Sequence, residues 1–164
     1  MSIEIVTKFY EAFSRRDAEG MGACYADDVH FSDPVFPELR GERAKNMWRM
    51  LCERGEDLEI EFSDVKSDGT IGSAHWEARY TFSFTGQRVH NVIDARFELS
   101  NGKITRHVDS FDLWRWSGMA LGVKGKLLGW APFVQNAIRK KGAIGLDAWA
   151  AKRGAWRRSL PDGG

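Results

Sequence analysis

The chain has two cysteines, Cys24 and Cys52, and neither stands in a Cys-x-x-Cys or Cys/His spacing. That leaves no disulfide framework and no zinc-binding pattern, and a reducing cytoplasm is the simplest setting. The four histidines include no His-x-His or His-x₃-His pair, so neither a metal nor a cofactor is expected. No apolar run approaches the length needed to span a bilayer. The N-terminal Met-Ser-Ile-Glu-Ile-Val-Thr-Lys lacks the basic and then apolar regions of a signal peptide. No internal repeat is present. The basic residues are not interleaved with aromatics on a strand pattern and form no known binding motif, so nucleic acid is not an expected partner.

What the chain does have is aromatic mass. Its 164 residues include seven Trp and ten Phe, with 43% hydrophobic and 29% charged residues, enough for one folded domain with a sizeable core. Net charge is only +1, but it is segregated. Residues 118–164 hold nine Lys or Arg against Asp147 and Asp162, a net +7, which leaves −6 on the first 117.

Hydrophobic spacing sets the order of elements. Ile3, Val6, Phe9, Tyr10 and Phe13 recur at helical intervals, Asp17-Ala-Glu-Gly20 interrupts them, and a short second helix follows through Met21, Cys24 and Tyr25. A short strand is predicted at 29–33. After Pro34 and Pro37, a third helix runs from Gly41 to Glu53 through Ala44, Met47, Trp48 and Leu51. From residue 58 the period becomes two. Strands are predicted at 58–62, 74–84, 89–99 and 103 to about 116, joined by the turns Ser67-Asp-Gly-Thr70, Thr85-Gly-Gln87 and Ser100-Asn-Gly102. Three helices followed by an antiparallel meander give an α+β fold, with the helices on one face of the sheet.

Asp33 is the leading catalytic candidate. Val29, Phe31 and Asp33 alternate with His30 and Ser32, which sets a carboxyl on an apolar wall where burial raises its pKa toward the range of a general base. A second reading makes it a turn or capping residue held before Pro34.

The motifs Phe9-Tyr-Glu-Ala-Phe13, Asp17, Tyr25-Ala-Asp-Asp28, Asp33-Pro34, Gly102-Lys-Ile104 and Asp109-Ser-Phe-Asp112, in this order, resemble the nuclear transport factor 2-like superfamily over about residues 3–116. The ketosteroid isomerase and SnoaL-like polyketide cyclase branches are the most similar. The resemblance implies a cone-shaped α+β barrel, a curved antiparallel sheet wrapped around N-terminal helices, with a hydrophobic pocket and a homodimer formed through the outer sheet face. It places the isomerase base on Asp33. The oxyanion-hole tyrosine of that branch falls on Phe9, with Tyr10 beside it, and its second donor falls on Asp94 or, one residue out of register, on Ala95. The epoxide hydrolase branch places a water-activating carboxylate on Asp109, with His107 and Phe111 on the same strand face. Its water-positioning pair falls on Phe31 and Asp33, and its arginine-bridged carboxylates find no match near Trp76–Arg79.

His107 with Asp109 also reads as a structural pair. Trp76, Tyr80, Phe82 and Phe84 form an aromatic stripe that serves either core or pocket lining. The boundaries expected are a SnoaL-like domain at 1–117 and a basic, apolar helical extension at 118–164. The extension reads as a lid or a dimer contact before it reads as an anionic membrane contact. Three functions follow as expectations. The first is an isomerase or cyclase that removes a proton next to a carbonyl of a small hydrophobic molecule, with Asp33 as base and Asp109 and His107 as the second polar group. The second is a noncatalytic binder of a lipid-like or polyketide-like molecule lined by Phe9, Tyr10, Phe31, Trp76, Tyr80, Asp94 and Phe111. The third is epoxide hydrolysis.

Overall fold

The computed structural model describes residues 2–159, so the last five residues of the expected extension lie outside the described residues. Helix α1 (Ser2–Ser14) buries Val6, Phe9, Tyr10 and Phe13 along one stripe. The chain reverses at Arg16, whose φ is +54°, and Asp17 then caps α2 (Ala18–Cys24) by accepting the Gly20 N–H at 2.9 Å. Strand β1 (Tyr25–Ser32) starts at Tyr25, which the helical spacing had assigned to α2, and ends one residue before Asp33. A two-residue strand β2 (Leu39–Arg40) leads into α3 (Glu42–Arg54), whose inner face is Ala44, Met47, Trp48 and Cys52. Gly41 joins them at φ +54°, where its N–H bonds to Val29 O and a Cβ would press on Asp27 O.

Strands β3 (Glu59–Ser67), β4 (Ile71–Thr81), β5 (Arg88–Ser100) and β6 (Lys103–Ser110) form the predicted meander. The β5–β6 hairpin turns through Asn101 and Gly102, both at positive φ, as the Asn-Gly pair demands. The complete sheet runs β2-β1-β6-β5-β4-β3 and stays open. It is mixed rather than antiparallel, because β1 lies parallel to β6. The helical crossover and meander between these two strands supply the long connection that a parallel pair requires.

Two differences from the sequence pattern matter for the site. Residues 111–116 do not extend β6. Asp112 accepts the Arg115 N–H at 3.0 Å and starts α4 (Leu113–Ala120), so the apolar run there is helical. Phe82 and Phe84 leave β4 after Thr81; Phe82 packs edge-on to Trp116, whereas Phe84 is exposed.

One apolar cluster fills the space between α1–α3 and the concave sheet face. A smaller one is made of Val89, Leu113, Trp116 and Ala120, and Tyr80 and Phe111 pack against both. The C-terminal helices α5 (Val123–Leu128) and α6 (Pro132–Ser159) follow. Helix α6 sends Leu146 into the main core, lays Gly142 against Val35 and Phe36, and joins α3 through Arg43–Asp147 at 3.1 Å and Trp149–Glu53 at 2.5 Å. None of the helices among the described residues is long and apolar enough to cross a membrane. If Leu146 anchors α6 as its complete burial indicates, Leu146→Ala will lower unfolding stability by about 2–4 kcal/mol in urea denaturation. A loss below about 0.5 kcal/mol would mean that α6 is not part of the cooperative core.

Candidate active site

A β-bulge decides which way the polar residues of β6 face. Leu99 pairs with Ile104 but Glu98 pairs with Arg106, so Thr105 is an extra residue, its hydroxyl bonded to Glu98 O at 3.1 Å. The bulge shifts the alternation by one. Ile104, His107 and Asp109 therefore all point into the core, although regular alternation would put Ile104 on the opposite face from the other two.

Inside, they form the centre of a continuous hydrogen-bond chain. Trp48 Nε1 donates to Tyr25 Oη at 2.8 Å, Tyr25 Oη lies 2.7 Å from His107 Nδ1, and His107 Nε2 lies 2.8 Å from Asp109 Oδ1. Trp76 Nε1 donates to the same Asp109 oxygen at 3.3 Å. Indoles only donate, so the chain is satisfied when Tyr25 accepts from Trp48 and gives its proton to Nδ1, leaving the Nε2 proton for Asp109. The imidazole sits in a box of rings: Phe97 at 4.4 Å, Phe31 at 5.1 Å, Phe9 at 5.3 Å and Trp48 stacked at 5.9 Å between centroids. Burial, and next the Asp109 charge, push the Tyr25 phenol well above its ordinary pKa. Tyr10 is equally enclosed, stacked on Phe62, and its hydroxyl has no hydrogen-bond partner among the described residues. Burial, followed by the Asp109 charge, raises its pKa too.

Asp33 lies outside this network, in the turn that follows β1. Its Oδ1 accepts the Val35 N–H at 2.7 Å and the Phe36 N–H at 2.6 Å, the closed turn that Asp-Pro suggested. Those bonds favour the charged form. Burial works against them and dominates, with the Asp109 charge adding to it, and the carboxyl rises from 3.8 to about 7. Asp33 keeps partial contact with solvent, so it is shielded by surrounding protein without being sealed. Tyr80 packs against both apolar clusters. Its hydroxyl accepts the Trp116 N–H at 2.8 Å, and its pKa is raised chiefly by burial, with a smaller contribution from the Asp33 charge. Because the indole only donates, the phenol proton is left for another acceptor.

The structure thus separates the sequence candidates into groups. His107, Asp109, Phe9, Tyr10, Phe31 and Trp76 are packed in the interior, whereas Asp33, Tyr80 and Phe111 are partly exposed. Asp94 is on the outer sheet face, bonded to His75 at 2.9 Å, and Ala95 takes the inward position. Sequence reading had not paired Tyr25 and Trp48 with His107, nor Trp116 with Tyr80. Only the inward-facing helical and strand periods of Trp48 and Tyr80 hinted at either. Two open grooves, of about 540 Å³ beside Tyr25 and Lys45 and about 410 Å³ beside Trp114 and Lys126, lie away from Asp33 and Asp109.

An open, curved sheet wrapped on three N-terminal helices, with polar groups aimed into its concave face, is the arrangement of nuclear transport factor 2-like proteins. Residues 6–107 match the family model of the SnoaL-like domain, and the chain belongs to that family. A candidate polyketide cyclase from Xanthomonas campestris pv. campestris is 24% identical, with 73% of this chain and 96% of that one covered, at a TM-score of 0.61. An epoxide hydrolase-like protein from M. tuberculosis is 22% identical over 78% and 96% of the two chains, at 0.59. A protein of unknown function from Burkholderia pseudomallei is 19% identical over 73% and 96%, at 0.63. These identities establish the shared fold. No curated protein matches the chain in sequence.

Two outcomes test this geometry. Tyr25→Phe strands both the Trp48 N–H and His107 Nδ1, so stability will fall by about 1–3 kcal/mol in denaturant titration; no loss would mean that the chain is not formed. Asp33 holds its proton to higher pH in the folded than in the unfolded chain, so the folded protein binds more protons between pH 3.8 and about 7, and stability falls as pH rises through that window. Thermal denaturation from pH 5 to 8 will show wild type losing roughly 2 kcal/mol that Asp33→Asn keeps. Parallel pH curves for the two proteins would remove Asp33 as the cause.

Proposed function

We propose that this protein is an enzyme of the isomerase or cyclase type that abstracts a proton next to a carbonyl in a small hydrophobic molecule, with Asp33 as general base. The observation that carries this reading is the Asp33 carboxyl, held in the turn after β1 by two backbone N–H groups and raised to about 7 by burial. A base with that affinity is ionised in part at neutral pH, yet strong enough to accept a proton from carbon.

Removing the proton places negative charge on the carbonyl oxygen, and that charge needs a donor. Phe9 occupies the position where the isomerase branch has its tyrosine, and Tyr10 and His107 are enclosed in the core. Tyr80 is the available alternative: its hydroxyl is held by Trp116, its proton is uncommitted, and it feels the Asp33 charge. In this scheme Asp33 takes the α-proton, Tyr80 donates a hydrogen bond to the enolate oxygen, and Asp33 returns the proton to the same or a vinylogous carbon. His107 and Asp109 are positioning groups, and the Asp109 charge helps to keep Asp33 basic. Helix α6 acts as the cover of the mouth, because Arg139 Nε donates to Pro34 O at 2.8 Å and Gly142 rests on Val35 and Phe36, the residues that clasp the Asp33 carboxylate.

The ring-filled interior around His107 supports a second reading, noncatalytic binding of a hydrophobic molecule at the mouth. Deuterium exchange separates the two. The purified protein is incubated in D₂O with a panel of enolisable hydrophobic ketones and 1,3-dicarbonyl compounds, and label entering the α-carbon is followed by NMR. Catalysed exchange is expected on at least one compound, rising with pH through about 7 and falling by about 10²–10⁴-fold in Asp33→Asn and about 10-fold or more in Tyr80→Phe. Saturable binding without exchange identifies a binding protein, and exchange unchanged in Asp33→Asn removes Asp33 from the mechanism.

A further inference from the structure

Helix α5 is inverted relative to an ordinary surface helix. Its glycines face the protein: Gly125 is buried against Ser117 O and Gly129, just past its end, against Ser117 Oγ, at contacts where a Cβ at either position would collide. The helix is therefore clamped to α4 through its smallest residues. Its large apolar residues face water instead. Val123 is 71% exposed, Leu127 66%, Leu128 47%, Trp130 58% and Phe133 70%, an apolar patch of the kind that marks an interaction site. The clamp also holds the indoles, since Trp130 Nε1 donates to Leu127 O at 2.9 Å and Trp114 Nε1 to Lys126 O at 3.0 Å, so both rings are fixed while partly exposed.

Charge identifies the occupant. From Leu113 to Leu146 the chain contains no Asp or Glu. Lys124 and Lys126 lie within the patch, and Lys140 and Lys141 are exposed on the next turns of α6; none of the four forms an ion pair with the described residues. Arg115 and Arg139, by contrast, are committed to His90 O and Pro34 O. Rigid apolar side chains ringed by uncommitted lysines complement a surface with hydrocarbon below and negative headgroups above. A second copy meeting the same face would set like charges against each other. We propose that α5 and the start of α6 form a wedge that docks this chain, without crossing, on a bilayer surface containing anionic lipid.

Co-flotation of the full chain with vesicles tests this. Phosphatidylcholine vesicles containing about 30% phosphatidylglycerol should bind at least about tenfold more protein than phosphatidylcholine alone, and about 0.5 M salt should erase most of the difference. Leu127→Glu with Trp130→Glu should reduce binding to both vesicle types. Lys124→Gln with Lys126→Gln should reduce it about tenfold on the anionic vesicles only. All the changed side chains are exposed, and circular dichroism of each variant serves as the folding control. No binding to anionic vesicles at low salt, or equal binding by wild type and both variants, overturns the proposal. Concentration-dependent self-association abolished by Leu127→Glu with Trp130→Glu, without vesicle binding, overturns it in favour of an interface between copies.

Discussion

The hydrogen bond between Tyr25 and His107 is the point on which the interior depends. It joins the first residue of β1 to the middle of β6, the parallel pair that closes the sheet onto the helices, and through Trp48 and Trp76 it reaches α3 and β4. An imidazole and a carboxylate inside a box of aromatic rings are tolerated only if every lone pair and proton is met. The chain from Trp48 to Asp109 occupies the Tyr25 hydroxyl, both His107 nitrogens and Asp109 Oδ1. A one-residue slip of β6 would turn His107 and Asp109 outward and put Arg106 and Val108 inside, so the polar network also fixes register. The bulge at Thr105 is the local device that makes this register compatible with the hairpin at Asn101–Gly102.

Rings and a hydrogen-bonded network fill the interior around His107. His107 is wholly enclosed and its two nitrogens are occupied, so a substrate reaching it would have to break bonds that hold the sheet to the helices. Asp33 is under a different constraint. In the turn after β1 two backbone N–H groups favour its charge and the surrounding protein opposes it, and the opposition is the stronger. The Asp109 charge contributes to that opposition. The enclosed network thus acts on Asp33 through the charge of Asp109.

Most of the helices and the four long strands are legible in the sequence, because Val6, Phe9, Tyr10 and Phe13 keep a helical period and Ile93, Ala95, Phe97 and Leu99 a strand period against one continuous core. At Asp33 the turn reading is what the structure displays, one residue past the end of β1, with burial raising the carboxyl. What period does not carry is pairing between distant elements. The parallel β1–β6 contact, the Trp48–Tyr25–His107 link and the Trp116–Tyr80 link depend on side chains 23 to 82 residues apart. The end of β6 was misread because Leu113, Trp114 and Trp116 suit a strand as well as a helix, and the Asp112 cap decides between them. Asp94 shows the value of patterning over motif: aligning on apolar alternation puts Ala95 inside, as observed.

The segregation of charge, −6 on the first 117 residues and +7 on the remainder, acquires a physical meaning once α6 is in place. Its second half uses charge locally: Asp147 meets Arg43 on α3, Arg153 approaches Glu19 at 3.6 Å and stacks over Trp149, and Trp149 itself bonds to Glu53. These surface pairs are individually weak, and Leu146 supplies the apolar burial that makes the docking cooperative. The first half and α5 have no acidic neighbours in sequence and leave Lys124, Lys126, Lys140 and Lys141 unpaired among the described residues. Electrostatics alone would allow all this charge to settle on the acidic body. The glycine clamp on α4 limits this for α5, because Gly125 and Gly129 approach Ser117 with Val123, Lys124, Leu127 and Leu128 turned to solvent, while the Lys126 stem passes beside Gly118. One extension therefore presents two surfaces, one folded onto the barrel beside Asp33 and one held open by backbone packing.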